Sequence, residues 1–183
     1  MKKTLNSLES NQLLYRAFEM SDASRIFELL QEKEIVDNTL SIPYPYQKGM
    51  AEEWISTHQT QLALNDYKYA VILKEANLLI GAIEIVVTED FNHGCLGYWL
   101  GIPYWGKGYG TEMVARIIQF GFEDLKLHRI YSEHFDSNIR SARVMEKNGM
   151  IQEGILREHK IKDGKFVNSN IKGILTTEWQ KSF

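Results

Sequence analysis

One cysteine, three prolines and no long apolar run set the first limits on this chain of 183 residues. Cys95 alone cannot form an internal disulfide, which suits a reducing compartment, and a cytoplasmic location is expected. No stretch approaches the ~18 apolar residues that read as a membrane span, so no membrane partner is expected. The opening MKKTLNSLES carries two lysines with no apolar segment behind them and is not read as a signal peptide. Positive charge is also in short supply: 21 Lys and Arg stand against 24 Asp and Glu, a net charge of −3. A domain that neutralises phosphates along nucleic acid is usually far more basic, so nucleic acid is set aside as a partner. The five histidines show no metal-ligand spacing, and His93-x-Cys95 is too little to hold zinc, so no metal is expected.

What is there is an ordinary globular composition, 44% hydrophobic and 25% charged, in a chain long enough to bury a core. One domain over residues 1–183 is expected. QLLYRAF (Gln12 to Phe18) reads as a strand. SDASRIFELLQEKE follows as a helix with Ser21 or Asp22 as N-cap. SIPYPYQKG holds two of the prolines and is an irregular loop. MAEEWISTHQTQLAL is a second helix with Trp54, Ile55 and Leu62 on one side. Three strands come next, YKYAVILKE, LLIGAIEIVV and GCLGYWLGI, with turns at Ala76-Asn77 and EDFNHG. EMVARIIQFGFEDLKL carries Met113, Ile117, Phe120 and Leu125 at helical spacing. HRIYSEHF is a strand, SNIRSARVMEKNGM a helix ended by Gly149, and the remainder two strands joined at KDGK. The order β-α-α-β-β-β-α-β-α-β-β predicts an α/β fold. Its sheet is mixed, seven-stranded and mostly antiparallel, flanked by about four helices, with a parallel step where the third helix crosses over.

The stretch YWGKGYGTEM places glycines at 106, 108 and 110 immediately before that crossover helix. Each costs roughly 0.5–1 kcal/mol relative to alanine in regular structure, so three together need a reason. Glycines between a strand and a helix let backbone amides point outward together, and the helix N-terminus adds partial positive charge, which makes an anion site. The bland alternative is a tight strand-to-helix turn. The G-x-G-x-G spacing is not the dinucleotide fingerprint. GIPYWGKG (Gly101 to Gly108) misses a P-loop by one residue, because Gly108 stands where a Mg²⁺-binding hydroxyl is needed. A metal-free phosphate site for a group-carrying cofactor fits best.

GYWLGIPYWGKGYGTEMV resembles the acyl-CoA signature of the GNAT superfamily of N-acetyltransferases, most of all the branch of ribosomal-protein N-terminal acetyltransferases (RimJ/RimL type). In the superfamily pattern Gln/Arg-x-x-Gly-x-Gly/Ala, Gly108 and Gly110 match and Trp105 stands at the first position. IPYPYQKGMAEEWI, DSNIRSARVMEKNGMIQEG and KGILTTEW are similar to segments of that branch, so the resemblance covers nearly the whole chain. It implies the GNAT fold and transfer of an acetyl group from acetyl-CoA to a primary amine. The acceptor it favours is a protein α-amine, with a small amine (polyamine, amino acid or aminoglycoside) or a non-catalytic CoA-binding sensor as alternatives. A homodimer is left open.

The resemblance also assigns residues. Trp105, Gly106, Lys107, Gly108, Tyr109, Gly110 and Thr111 would hold the CoA pyrophosphate, although Lys107 also reads as a solvated loop lysine. Tyr98, Trp99 and Leu100 would lie along pantetheine like an added strand. Asn138 would contact pantetheine and Ser141 would stand near the thioester sulfur; the residues alone, without the resemblance, read as a helix cap with Ser137 or Asn138 as N-cap. Tyr44, Tyr46 and Trp54 would wall the acceptor pocket. Acids that many relatives carry at the position of Cys95, and some at those of Lys160 and Asn168, are missing here. The nearest substitutes are Glu84, alone inside an apolar strand, and the pair Glu158 and His159. Glu84 and Ser141 are thus the catalytic candidates, with Glu84 acting at most through water. An α-amine near pKa 7.8 costs only about 1 kcal/mol to deprotonate at pH 7, against about 4.6 kcal/mol for a lysine amine.

Overall fold

The computed structural model describes residues 5–179. One eight-stranded sheet runs through it: β1 (Leu8–Glu9), β2 (Leu13–Arg16), β3 (Asp66–Leu73), β4 (Leu78–Thr88), β5 (His93–Leu100), β6 (Arg129–Phe135), β7 (Ile151–Lys162) and β8 (Lys165–Leu175). The order is β1-β2-β3-β4-β5-β6-β8-β7, and every neighbouring pair is antiparallel except β5 and β6. The expected parallel step is therefore present, made by α5 (Tyr109–Glu123). The eighth strand, β1, is only two residues long, too short to show a period in the sequence.

The expected helices are broken into shorter pieces. The first divides into α1 (Ala23–Leu29) and α2 (Lys33–Asp37), the second into α3 (Met50–Ser56) and α4 (His58–Ala63). Thr57 marks the second break: its hydroxyl donates back to the Trp54 carbonyl at 2.7 Å, competing with the helix ladder. Asp22 precedes α1 but makes no side-chain cap there. It pairs instead with Arg16, at 2.7 and 2.8 Å, and accepts from the Glu19 amide. A helix α6 (Ile139–Lys147) follows β6, and a short α7 (Thr176–Trp179) ends the described chain. Gly149 takes the left-handed conformation expected after α6, with φ 78°.

The sheet separates two apolar layers. On one face α5 lays Met113, Val114, Ile117 and Ile118 on Tyr69, Ile83, Ile85 and Ile130. On the other, α1 and α3 cover Ala70, Ile72 and Leu79. Each fully buried large side chain contributes about 1.5–3 kcal/mol relative to exposure. That rigid frame holds one deliberate opening. β5 pairs with β6 only from His93–Leu96 to Arg129–Ser132. Beyond it, residues 97–100 keep β4 on one side and have no strand on the other. The Ser132 hydroxyl donates to the Leu96 carbonyl at 2.9 Å at the last paired step. α6 and the loop before α5 close around the resulting V.

Candidate active site

Two cavities meet at this V. The first, about 370 Å³, runs between β5, the start of α5 and the face of α6. Gly106, Gly108, Gly110 and Thr111 line one wall, and Tyr98, Trp99, Leu100 and Trp105 continue it toward the sheet. Gly106 and Gly108 hold φ of 74° and 89°, conformations costly for other residues, and a Cβ on either would project into open space. Gly108 is the N-cap of α5 and makes no side-chain cap. The first helical bond there runs from the Glu112 amide to the Gly108 carbonyl. The amides of 109–111 therefore have no partner within the helix, and the helix dipole adds to them. This cradle fits a pyrophosphate: its glycines leave room, and its free donors and dipole favour an anion.

The side chains of Lys107 and Tyr109 do not line the cleft; that of Tyr109 packs against the core, while its amide stays in the cradle. Only Gly106 and Gly108 need the left-handed conformation; Gly110 does not, and a Cβ there would meet only ordinary contacts at 3.4 and 3.6 Å. Trp105 has a clear structural part. Its indole N–H donates to the Leu100 carbonyl at 2.7 Å, tying the free end of β5 to the loop, and its ring faces the Arg140 guanidinium at 4.8 Å. Glu112, an acid in the first turn of α5, is turned away into the β1–β2 hairpin. It accepts from Ser10 Oγ at 2.6 Å, the Gln12 amide at 2.7 Å and Gln12 Nε2 at 2.9 Å.

The opposite wall holds residues the sequence reading missed. Arg140, Arg143 and Lys147 line the cleft from one face of α6. Their i, i+3, i+7 spacing was the available signal, but a basic helical face more often marks a solvated one.

The second cavity, about 910 Å³, lies on the other side of the V. Tyr46 and Trp54 line it. Tyr44 does not: it is 51% exposed, beyond a cis bond to Pro45, with the Lys33 ammonium 5.7 Å from its ring centre. Six residues belong to both cavities: Asn38, Thr39, Tyr98, Trp99, Asn138 and Ser141. They mark the neck between the two. Asn138 caps α6, its side-chain oxygen accepting from the Ser141 amide at 3.1 Å. That leaves the Ser141 hydroxyl free to meet Tyr98, whose phenol oxygen lies 2.8 Å away. Burial pushes the Tyr98 phenol up to about 12, with the Ser141 contact acting the other way, so it stays a neutral donor.

Glu84 projects into the second cavity but is not a lone acid. Lys68, directly opposite on β3, forms an ion pair with it and another with Asp66 at 2.8 Å. Lys68 is only 9% exposed, and the two carboxylates raise its value against the effect of burial. The hairpin turn at Ala76-Asn77 already placed 68 and 84 near one another. Glu133 was missed altogether. It accepts from Ser169 Oγ at 2.5 Å and sits 3.4 Å from Lys160 Nζ. Glu158 and His159 are exposed at an irregular stretch of β7 and do not line the cavity. Cys95 lines it, and burial pushes its thiol up to about 11, so it is not a reactive thiolate at neutral pH.

Comparison with known proteins agrees with this architecture. Residues 12–151 match the family described as "Acetyltransferase (GNAT) domain". The chain is 24% identical over 185 residues to "Putative ribosomal N-acetyltransferase YdaF" of Bacillus subtilis (strain 168), covering 93% of this chain and 95% of that one. It is 24% identical over 171 residues to "Spermidine N(1)-acetyltransferase" of Vibrio cholerae, covering 93% and 96%. A crystal structure of a GNAT-family acetyltransferase from Bacillus anthracis superposes with a TM-score of 0.84 at 24% identity, covering 94% of this chain and all of that one. With most of its length inside that domain, the chain belongs to the GNAT acetyltransferase family and is an acetyl-CoA-dependent N-acetyltransferase.

Proposed function

We propose that the chain acetylates the α-amine of a protein N-terminus, in the manner of the RimJ/RimL branch, by direct attack of the amine within a ternary complex. The observation that carries this reading is the neck. A cleft with an anion cradle and a cavity open to a second reactant share Tyr98, Asn138 and Ser141, so two substrates entering from opposite sides would meet at the Tyr98–Ser141 pair. In this reading acetyl-CoA supplies an activated acyl group as a thioester. The amides of 109–111 and the basic face of α6 bind its phosphates. The edge of residues 97–99 that β6 leaves uncovered aligns its arm as an added strand would, and Trp105, bonded to the Leu100 carbonyl, keeps that strand end in place.

Ser141 then donates a hydrogen bond toward the sulfur position, and the neutral Tyr98 phenol backs that hydroxyl. Each step of such help is worth about 10- to 100-fold, at the low end of acid–base effects. The acceptor amine loses its proton to solvent, since an α-amine costs only about 1 kcal/mol to neutralise at pH 7. Acetylation of a small amine is the second reading, supported by the near full-length likeness to the spermidine enzyme. Incubation with acetyl-CoA against a library of N-terminal peptides and small amines, read by mass spectrometry, tests both. Acetylated peptide α-amines are expected; transfer confined to small amines would replace the first reading by the second.

A further inference from the structure

We infer that the acceptor carries a second positive charge beside the amine that is acetylated, and that Glu84 and Glu133 hold it. The inference rests on the transferase reading and narrows it to one class of amine.

The register places both acids over one floor. Glu84 pairs with Gly97 across β4 and β5, and a Cβ at Gly97 would lie 2.8 Å from Glu84 Oε1. The bare glycine therefore leaves room for that carboxylate to reach over the strand. On β6, Tyr131 pairs with Cys95, so two residues on Glu133 falls level with Gly97, on the same face and across the V. The Cys95 thiol feels both acids, which agrees with a position near each. Both side chains remain accessible, at 34% and 28%.

Charge is unbalanced there. The cavity is lined by Glu53, Glu84 and Glu133 against Lys68 and Lys160. Asp66 adds a fourth carboxylate 2.8 Å behind Lys68, so the group as a whole carries −2. Lys68 is locked between its two acids. Lys160 is not: it sits 3.4 Å from Glu133 on an irregular strand, and an incoming cation can displace it. Burial raises the Glu133 carboxyl, yet the Ser169 hydroxyl and Lys160 together hold it below the ordinary carboxylate range. Such a group is a weak base at neutral pH and a good anchor for an ammonium.

The rest of the lining asks for donors. Its two polar atoms that are buried without a partner among the described residues are Gln61 Oε1 and His134 Nε2. Gln61 Oε1 is an acceptor. So is His134 Nε2, because Nδ1 lies 3.0 Å from the Phe135 carbonyl and must carry the proton to bond it. Trp54 and Trp99 add aromatic faces, which attract cations and offer a neutral group less.

Two sources supply this chemistry, a small polyamine and a protein N-terminus followed by a basic residue. The test compares kcat/KM at saturating acetyl-CoA for 1,4-diaminobutane against 1-aminobutane, and for an Ala-Lys peptide against its Ala-Gln counterpart. In at least one pair the dication is expected to lead by about tenfold or more at low salt, with the lead shrinking as salt rises. The diamine leading identifies the small-molecule source, and the Ala-Lys peptide leading identifies the protein source. Equal rates within both pairs would overturn the inference while leaving the transferase reading intact. No turnover of any amine would count against that reading alone, and calorimetry of 1,4-diaminobutane against 1-aminobutane on the CoA-loaded protein then decides the charge preference. In Glu84→Gln and Glu133→Gln the ratio of dication to monocation should fall by about tenfold. Calorimetry of acetyl-CoA on the same variants shows whether they are folded.

Discussion

The phenol oxygen of Tyr98 stands 2.8 Å from the hydroxyl of Ser141, on the far side of the gap where β5 has left β6. The contact joins a strand to the helix facing it across the neck of two cavities. Asn138 contributes by taking the Ser141 amide and so fixing the first turn of α6. Capping and chemistry are thus compatible in one motif, since the cap uses the serine's backbone and the neck uses its side chain.

Removing either hydroxyl should slow the chemical step. Ser141→Ala is expected to lower kcat by about 10- to 100-fold, and Tyr98→Phe by less. The Kd for CoA, measured by calorimetry, should stay within a few-fold in both. The double variant should lose little more than Ser141→Ala alone, because the two groups act as one unit. Loss of thermal stability with kcat unchanged would leave the pair a purely structural contact.

The glycine loop should rank its substitutions by backbone conformation. At Gly108, φ 89°, valine would cost about 1–3 kcal/mol of strain and put a side chain into the cleft. Acetyl-CoA affinity should drop by about tenfold or more. Gly110→Ala places its methyl at 3.4 Å from Val144 and should change affinity by less than about threefold. Calorimetry on both decides the ranking, and equal losses would move the critical contact to Gly110.

Much of this architecture was legible in the sequence, because periodicity and turn chemistry are local. The crossover helix announced itself through Met113, Ile117 and Phe120, and the β7–β8 hairpin through Asp163 and Gly164, both at positive φ. What stayed hidden depends on tertiary placement. Glu133 reads as the outward residue of an alternating strand until the gap at Leu96–Ser132 brings it into a cavity. Arg140, Arg143 and Lys147 read as a solvated face until the glycine loop stands opposite. Tyr44 looks like part of an aromatic wall, yet its ring is exposed and lies outside the cavity.

The basic face of α6 should contribute to cofactor affinity through charge. Arg143→Glu and Lys147→Glu are each expected to raise the Kd for acetyl-CoA by about tenfold at low salt, with the penalty shrinking at about 0.5 M salt. A Kd unchanged in both variants at low salt would return these residues to the solvent.

Acid should destabilise the wall that carries His58. Its ring meets Trp54 at 4.4 Å and Phe18 at 5.1 Å edge to face, and neither nitrogen has a partner among the described residues. Burial first, and the Lys68 charge second, lower its value to about 4 from the usual 6.5. A depressed folded value means that the unfolded chain takes up the proton first. Stability is therefore full above about 6.5 and falls as pH drops toward 4. Tm followed from neutral to mildly acid pH should decline less steeply in His58→Leu than in the parent. Parallel curves would exclude His58 as a source of the acid sensitivity.

The last prediction concerns the proton that the amine must lose. Glu84 is engaged by Lys68, Glu133 by Ser169 and Lys160, and the Cys95 thiol is pushed up to about 11. None of these is a free base at neutral pH. The rate at limiting amine should then rise with pH and level off near the acceptor's own pKa, about 8 for an α-amine. An acceptor of lower amine pKa should carry the inflection down with it. Glu84→Gln should lower kcat by no more than about tenfold, since it removes a partner of Lys68 and not the proton acceptor. Its larger effect should fall on KM, because the acceptor's second positive charge loses a carboxylate to lie against. An inflection fixed near 6 for every acceptor, with a thousandfold loss of kcat in Glu84→Gln, would instead make Glu84 a dedicated base, and the Lys68 pair would then have to open during turnover.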